Sequence, residues 1–151
     1  MLRGSNVTIN FKSPELVWEF DVQLHPAARG TVTELARMME RQWHLPLTVT
    51  AVCRSPAEMA SIYGRDWRER GRWSWHLVNR AVDLRNRDWT DPQKADIELW
   101  LQRTFPDAEI IMHNIGRGDH LHVAMPAPAS RLRRLQRYIM RARAAKQETT
   151  K

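Results

Sequence analysis

The sequence predicts an α+β domain, a small and mainly antiparallel sheet flanked by helices. Three observations carry that prediction. Short β-branched or alternating runs recur along the chain, at NVTINF, LTVTAVC, RAVDLRN, EIIMH and HLHVAM. Longer stretches between them repeat their apolar residues at helical spacing. The links are short, and strands mixed with flanking helices in this way form the α+β pattern.

Taken in order, NVTINF alternates enough to be a first short strand. From about Ala27 to Gln42, Val32, Leu35, Met38 and Met39 recur at helical spacing, so a helix is expected there, ended near Pro46. LTVTAVC reads as a buried strand. Ser55 and Pro56 suit the cap and first turn of a helix over AEMASIYG. GRDWRERGRWSW is polar and glycine-punctuated and reads as a loop, and RAVDLRN as a strand. Asp91 and Pro92 open a helix that places Ile97, Trp100 and Leu101 on one face. EIIMH and HLHVAM follow as two strands joined by the glycine turn NIGRGD, and Pro126 and Pro128 stop the second. A last helix is expected from about Ser130 to Ala145.

A chain of 151 residues fits one domain. At that size folding buries about two thirds of the unfolded surface, so no disulfide staple is required. The single Cys53 cannot form an internal disulfide and reads as a small buried hydrophobe. No apolar run approaches the roughly 20 residues of a membrane helix, and the N-terminus lacks the apolar stretch of a secretory signal. The expectation is synthesis in the cytoplasm without a signal peptide.

The net charge of +7 is unevenly spread. Residues 130–151 carry eight Lys or Arg against one acid, Glu148, whereas residues 1–129 balance 16 basic against 16 acidic side chains. The basic character therefore belongs to one C-terminal element, which weakens a nucleic-acid-binding role for the body of the domain. Leu132, Leu135, Ile139 and Ala142 form a stripe there, as expected of a helix packed on the domain with a solvated basic face. Attraction to an anionic envelope is the sharper reading of the same charge.

Three pieces carry chemistry: Arg54-Ser55-Pro56, Ser74-Trp75-His76 through Asp83, and Asp119-His120-Leu121-His122. Imidazole and carboxylate are the usual ligands of catalytic zinc, which takes three protein groups and keeps one position open. His76, Asp83 and His122 supply such a set. Asp83 lies inside the strand-like AVDL, where a carboxylate is rare unless a metal or cation pairs it. His120 and His122 share one strand face about 6–7 Å apart, which suits one ligand and one neighbour facing substrate. Asp119 would fall on the opposite face of a straight strand, but Gly116 and Gly118 permit a turn that brings it back.

Ser74-x-His76 followed by Ala81-x-Asp83 resembles the S-x-H-x-x-G-x-A-x-D motif of the D-alanyl-D-alanine carboxypeptidase family. That group includes the L-alanyl-D-glutamate endopeptidases of phage and bacteria and shares its fold with the hedgehog signalling domain. His122 in DHLHV matches the family's later histidine ligand, and CRSP resembles its Y-R-S segment. The resemblance spans Arg54 to His122, roughly half the chain. Asn79 replaces the motif glycine, and asparagine is the next-best residue for a left-handed turn. Asp119 stands where the family often has glutamate.

The resemblance implies a hedgehog/DD-peptidase-like fold and a zinc peptidase over residues 1–129, followed by the basic helix and tail of residues 130–151. It implies one Zn2+ held by His76, Asp83 and His122. Catalysis would fall to Asp119 or His120 as base and to Arg54, with Arg54, Ser74 and Trp75 binding substrate. The implied partner is the stem peptide of peptidoglycan, cut by a monomer of phage-endolysin type that acts on the wall after release. The rival readings are a nucleic-acid-binding or metal-dependent nuclease module using the basic helix, and a structural zinc site without catalysis.

Trp67, Trp73, Trp75 and Trp89 lie near the motif and are expected to line a cleft, whereas Trp18, Trp43 and Trp100 are expected in the core. His113 is expected to be structural, and His25 and His44 to be surface residues.

Overall fold

The computed structural model describes residues 7–113 and 119–129, with Arg131, Arg133 and Gln136. The expected glycine turn, apart from Asp119, and nearly all of the expected C-terminal helix lie outside the described residues. Within them the architecture is α+β: a five-stranded mixed sheet with four α-helices. The order along the chain is β1 (Ile9–Phe11), α1 (Pro14–Trp18), a π-helical turn (Glu19–Gln23), α2 (Pro26–Trp43), β2 (Leu47–Ala51) and α3 (Pro56–Tyr63). A 3-10 turn (Trp75–Val78), β3 (Ala81–Arg85), α4 (Asp91–Thr104), β4 (Glu109–His113) and β5 (His120–Ala124) complete it.

Across the sheet the strands run β1-β2-β3-β5-β4. Only β1 and β2 are parallel, and the other pairings are antiparallel. One face is apolar: Leu47, Val49, Val82, Leu84, Leu121 and Val123 are buried against Val32, Leu35 and Met39 of α2 and Ile97 and Leu101 of α4. The 3.6-residue repeat of the helices and the two-residue repeat of the strands meet in this core. With α2 and α4 gathered there, the opposite face is left to the polar members of the same strands, and the site lies on it.

Local signals explain the helix starts. Ser55 and Glu58 form a reciprocal capping box at α3, and Thr90 and Gln93 do the same at α4, which satisfies orphan N–H groups at each end. At α2 the acceptor is the His25 ring, through Nδ1 and the Ala27 N–H at 3.2 Å. His25 also meets Arg80 at 3.0 Å, so it joins α2 to the segment before β3 rather than lying idle on the surface. Burial, then Arg80 and Arg131, push its pKa below the ordinary histidine value, so it stays neutral and able to accept. His44 is exposed, as expected.

The tryptophans divide differently from expectation. Trp18 is 56% exposed, because the five-residue α1 turns Leu16 toward the core, with Phe20 following in the π turn. Trp43 and Trp100 are half-buried against the core, whereas Trp89 belongs to the core itself and not to the lining of the cleft at the site. Trp67 is buried within the 64–73 loop, its ring covered by the Arg68 guanidinium at 4.4 Å. Trp73 and Trp75 remain at the site.

Asn79 adopts φ 58 and ψ 39, the left-handed conformation that ends the 3-10 turn and starts β3. A β-branched residue is strained there and glycine is not. Asn79→Gly is expected to leave stability within about 0.5 kcal/mol, and Asn79→Val to lower it by about 1–2 kcal/mol. Urea unfolding of the two variants checks this, and equal stabilities would contradict it.

Candidate metal centre

Two neighbouring strands and one turn build the site. Asp83 on β3 stands directly opposite His122 on β5 in the antiparallel register. A register shift in β2 between Val49 and Ala51 lies beside Asp83, and the Thr50 hydroxyl donates to the Asp83 carbonyl at 3.1 Å. Such bulges bend a strand and re-aim its side chains. His76 comes from the 3-10 turn, where the Ser74 hydroxyl accepts from the His76 N–H at 3.3 Å. Trp75 in the same turn packs on Ala81 and Ala124, whose small side chains let it lie against the sheet.

His76, Asp83 and His122 are all buried and converge on one carboxylate oxygen. His76 Nε2 is 3.1 Å from Asp83 Oδ1, and His122 Nδ1 is 2.9 Å from the same atom. The far nitrogens have partners that accept: His76 Nδ1 meets the Val52 carbonyl, and His122 Nε2 lies 3.3 Å from Glu109 Oε1. An N–H directed at each acceptor leaves both inner nitrogens with lone pairs aimed at a carboxylate. That convergence of acceptors calls for a proton or a cation at its centre. A tetrahedral ion with bonds of about 2.0–2.1 Å holds its ligands about 3.3 Å apart, close to the two separations here. The donor types, the spacing and the partners on the outer nitrogens all fit a metal ion, with His122 held by Glu109 in a carboxylate–histidine arrangement.

The second oxygen of Asp83 accepts from Arg54 Nη2 at 2.7 Å. Burial by itself would raise the Asp83 carboxyl. A proton held between Asp83 and His122 or His76, together with the Arg54 guanidinium, outweighs it and holds the group far below the usual carboxylate range.

Around this centre lies a cleft of about 450 Å³, lined by Tyr63, Trp73, Trp75, Ile111 and His113 as well as by the central residues. Arg54 and Ser74 are in its wall, as are His120 and His122. His120 Nε2 stands 4.0 Å from Asp83 Oδ1, beside the ligand set, and its ring stacks on His113 at 4.6 Å. Asp119 is exposed just before β5 and lines an adjoining concavity with Arg54, Asp83 and His120. All the residues singled out from the sequence therefore gather around one place, with Asp119 at its edge.

Sequence reasoning missed Glu109 and His113. Both lie on β4 at a spacing of two from Ile111, and the register sets Ile111 opposite His122 and His113 opposite His120. The alternation of EIIMH held the signal, but the strand pairing was needed to aim it at the site. His113, expected to be structural, lines the cleft, and burial, then the neighbouring rings of His120 and His122, lowers its pKa, so the cleft wall carries a neutral ring. Cys53 offers no nucleophile. Its thiol is pushed up to about 11 by burial and by Glu19 and Glu58, and it lies 3.1 Å from Gln23 Oε1.

The purified protein is expected to carry about one metal ion per chain. His76→Ala, Asp83→Ala and His122→Ala should each lose it, whereas His113→Ala and His120→Ala should keep it. Elemental analysis of the five variants is the check, and full occupancy in His122→Ala would remove that residue from the ligand set. A chelator should lower the melting temperature of the wild type.

Comparison with protein-family models, curated proteins and solved structures finds no match for this chain, so the reading of its function rests on its own residues and geometry.

Proposed function

We propose that the chain is a zinc-dependent hydrolase of amide bonds in the stem peptide of bacterial peptidoglycan, with a hedgehog/DD-peptidase-like fold. The observation that carries this reading is the convergence of His76 Nε2 and His122 Nδ1 on Asp83 Oδ1 in an open cleft. Two imidazoles and one carboxylate are a set used by catalytic zinc, whereas structural zinc sites have four protein ligands. The order of these residues along the chain, with Arg54 before them, is that of the carboxypeptidase motif. The sheet supports the fold assignment, because it places the two later ligands on adjacent antiparallel strands.

Zinc in this position supplies Lewis acidity that polarises a carbonyl and acidifies water. The chain's own groups do the rest. Arg54 has one nitrogen on Asp83, and its remaining N–H groups can stabilise the oxygen that becomes negative as the carbonyl is attacked. Asp119 is the proposed base, taking the proton of the attacking water and returning it to the leaving amine. His120, which lines both the cleft and the adjoining concavity, is the alternative acceptor. Ser74 Oγ accepts from the His76 N–H and retains a hydroxyl proton for substrate. Trp75, with Trp73 at a ring separation of 6.4 Å, forms an aromatic wall for it.

Digestion of peptidoglycan followed by mass spectrometry tests the reaction. New amine and carboxyl ends within stem peptides are expected, and a zinc-loaded protein that releases none contradicts the proposal. Asp119→Asn should keep its zinc and lose about 10²-fold or more in rate. An active Asp119→Asn beside an inactive, zinc-replete His120→Ala would transfer the role of base to His120.

A further inference from the structure

The metal ligands lie between two arms of unlike chemistry. On the β4 side the cleft is walled by Tyr63, Trp73, Trp75 and Ile111. On the β1 side a second concavity of about 360 Å³ shares Arg54, Asp83 and His120 with it. Here the lining adds Lys12, just past β1, Arg85 at the end of β3, and Arg87 two residues on. Arg85 is opposite His120 in the sheet register, so it occupies the position on β3 that corresponds to the substrate-facing histidine on β5.

The charge of this second arm is not compensated from within. Arg54 is matched by Asp83 at 2.7 Å, which occupies that acid. Asp119 is then the other acid in the lining, against Lys12, Arg85 and Arg87. Arg87 reaches Asp88 at 3.8 Å with both side chains largely exposed, a contact that neutralises little. Among the described residues, neither Lys12 nor Arg85 has an acid partner. A small concave surface with three cations focuses positive potential on whatever enters it.

We propose that Lys12, Arg85 and Arg87 form a subsite for a free carboxylate of the substrate. The site then takes a peptide that is acidic on the β1 side of the reacting amide and apolar on the β4 side. The assignment of this ligand as part of a substrate rests on the hydrolase reading; the anion subsite itself does not. A carboxylate suits the geometry better than a nucleic-acid backbone. The basic arm is confined to about 360 Å³, and residues 1–129 sum to no net charge, without the basic excess expected of a nucleic-acid-binding body.

Glutarate, a dicarboxylate with no amide to cut, is the first probe. It is titrated into metal-loaded protein, with backbone amide shifts as the readout. Shifts are expected around Lys12, Arg85 and Arg87, weakening as salt rises. The Lys12→Gln/Arg85→Gln protein should bind about tenfold more weakly, the loss of charge-assisted hydrogen bonds, with its metal content and melting temperature checked alongside. Unchanged affinity, or shifts confined to His76 and His122, would overturn the subsite. So would tighter binding of a DNA duplex through the same three residues. The second probe is a pair of peptides differing only in Glu or Gln beside the scissile amide. Wild type should prefer the acidic peptide by about tenfold in kcat/KM, and the variant should lose that preference. Cleavage of both peptides at one rate would sink the subsite and leave the hydrolase. Glutarate bound at these residues without cleavage of either peptide would sink the hydrolase and leave the subsite.

Discussion

The Asp83 carboxylate is the group on which the site depends. It is buried on a central strand, and a buried charge is tolerated only when paired and hydrogen-bonded. Arg54 pairs its Oδ2, and two histidines meet it at Oδ1, where a proton or a cation completes the pairing. Each of those partners comes from a different part of the chain, so the one carboxylate ties the 3-10 turn, β5 and the segment before α3 to β3. Removing it would leave Arg54 without its counter-ion and the two imidazoles without the carboxylate they share, a loss of several kcal/mol in a buried network.

The sheet makes this arrangement possible by dividing its two faces. Val82, Leu84, Leu121 and Val123 turn to the helices, and the residues between them must then turn the other way. Asp83, Arg85, His120 and His122 are those residues, and β4 adds Glu109, Ile111 and His113 by the same alternation. The chemistry of the open face is thus a consequence of the packing on the closed one. Its lateral gradient follows from strand order, since β1 and β3 contribute cations on one side and β4 contributes apolar and acidic groups on the other.

Much of the fold was legible because core packing and pattern agree. The β-branched run LTVTAVC, the helical repeat from Val32 to Met39, the cap at Ser55 and the helix start at Asp91 each point to the element that forms. The short α1 gave no such pattern, because five residues hold a helix only through tertiary contacts such as Leu16 and the Phe11–Phe20 ring pair. The three candidate ligands were legible from residue type and order: Asp83 is a carboxylate inside a strand, and His76 and His122 flank it at the spacing of the motif. Glu109 and Lys12 were not, because each reaches the site through strand pairing at long range rather than through local sequence. Proximity in sequence misled at Trp89, which sits six residues after Asp83 but turns into the opposite layer.

The proposed function requires that His76, Asp83 and His122 hold one zinc ion. The most direct measurement is a crystal structure of the zinc-loaded protein with anomalous data at the zinc edge. One strong peak is expected about 2.0–2.2 Å from His76 Nε2, an Asp83 carboxylate oxygen and His122 Nδ1, with an open fourth position facing the cleft. A peak bound instead by His113 and His120, or by the sulfur of Cys53, would contradict it.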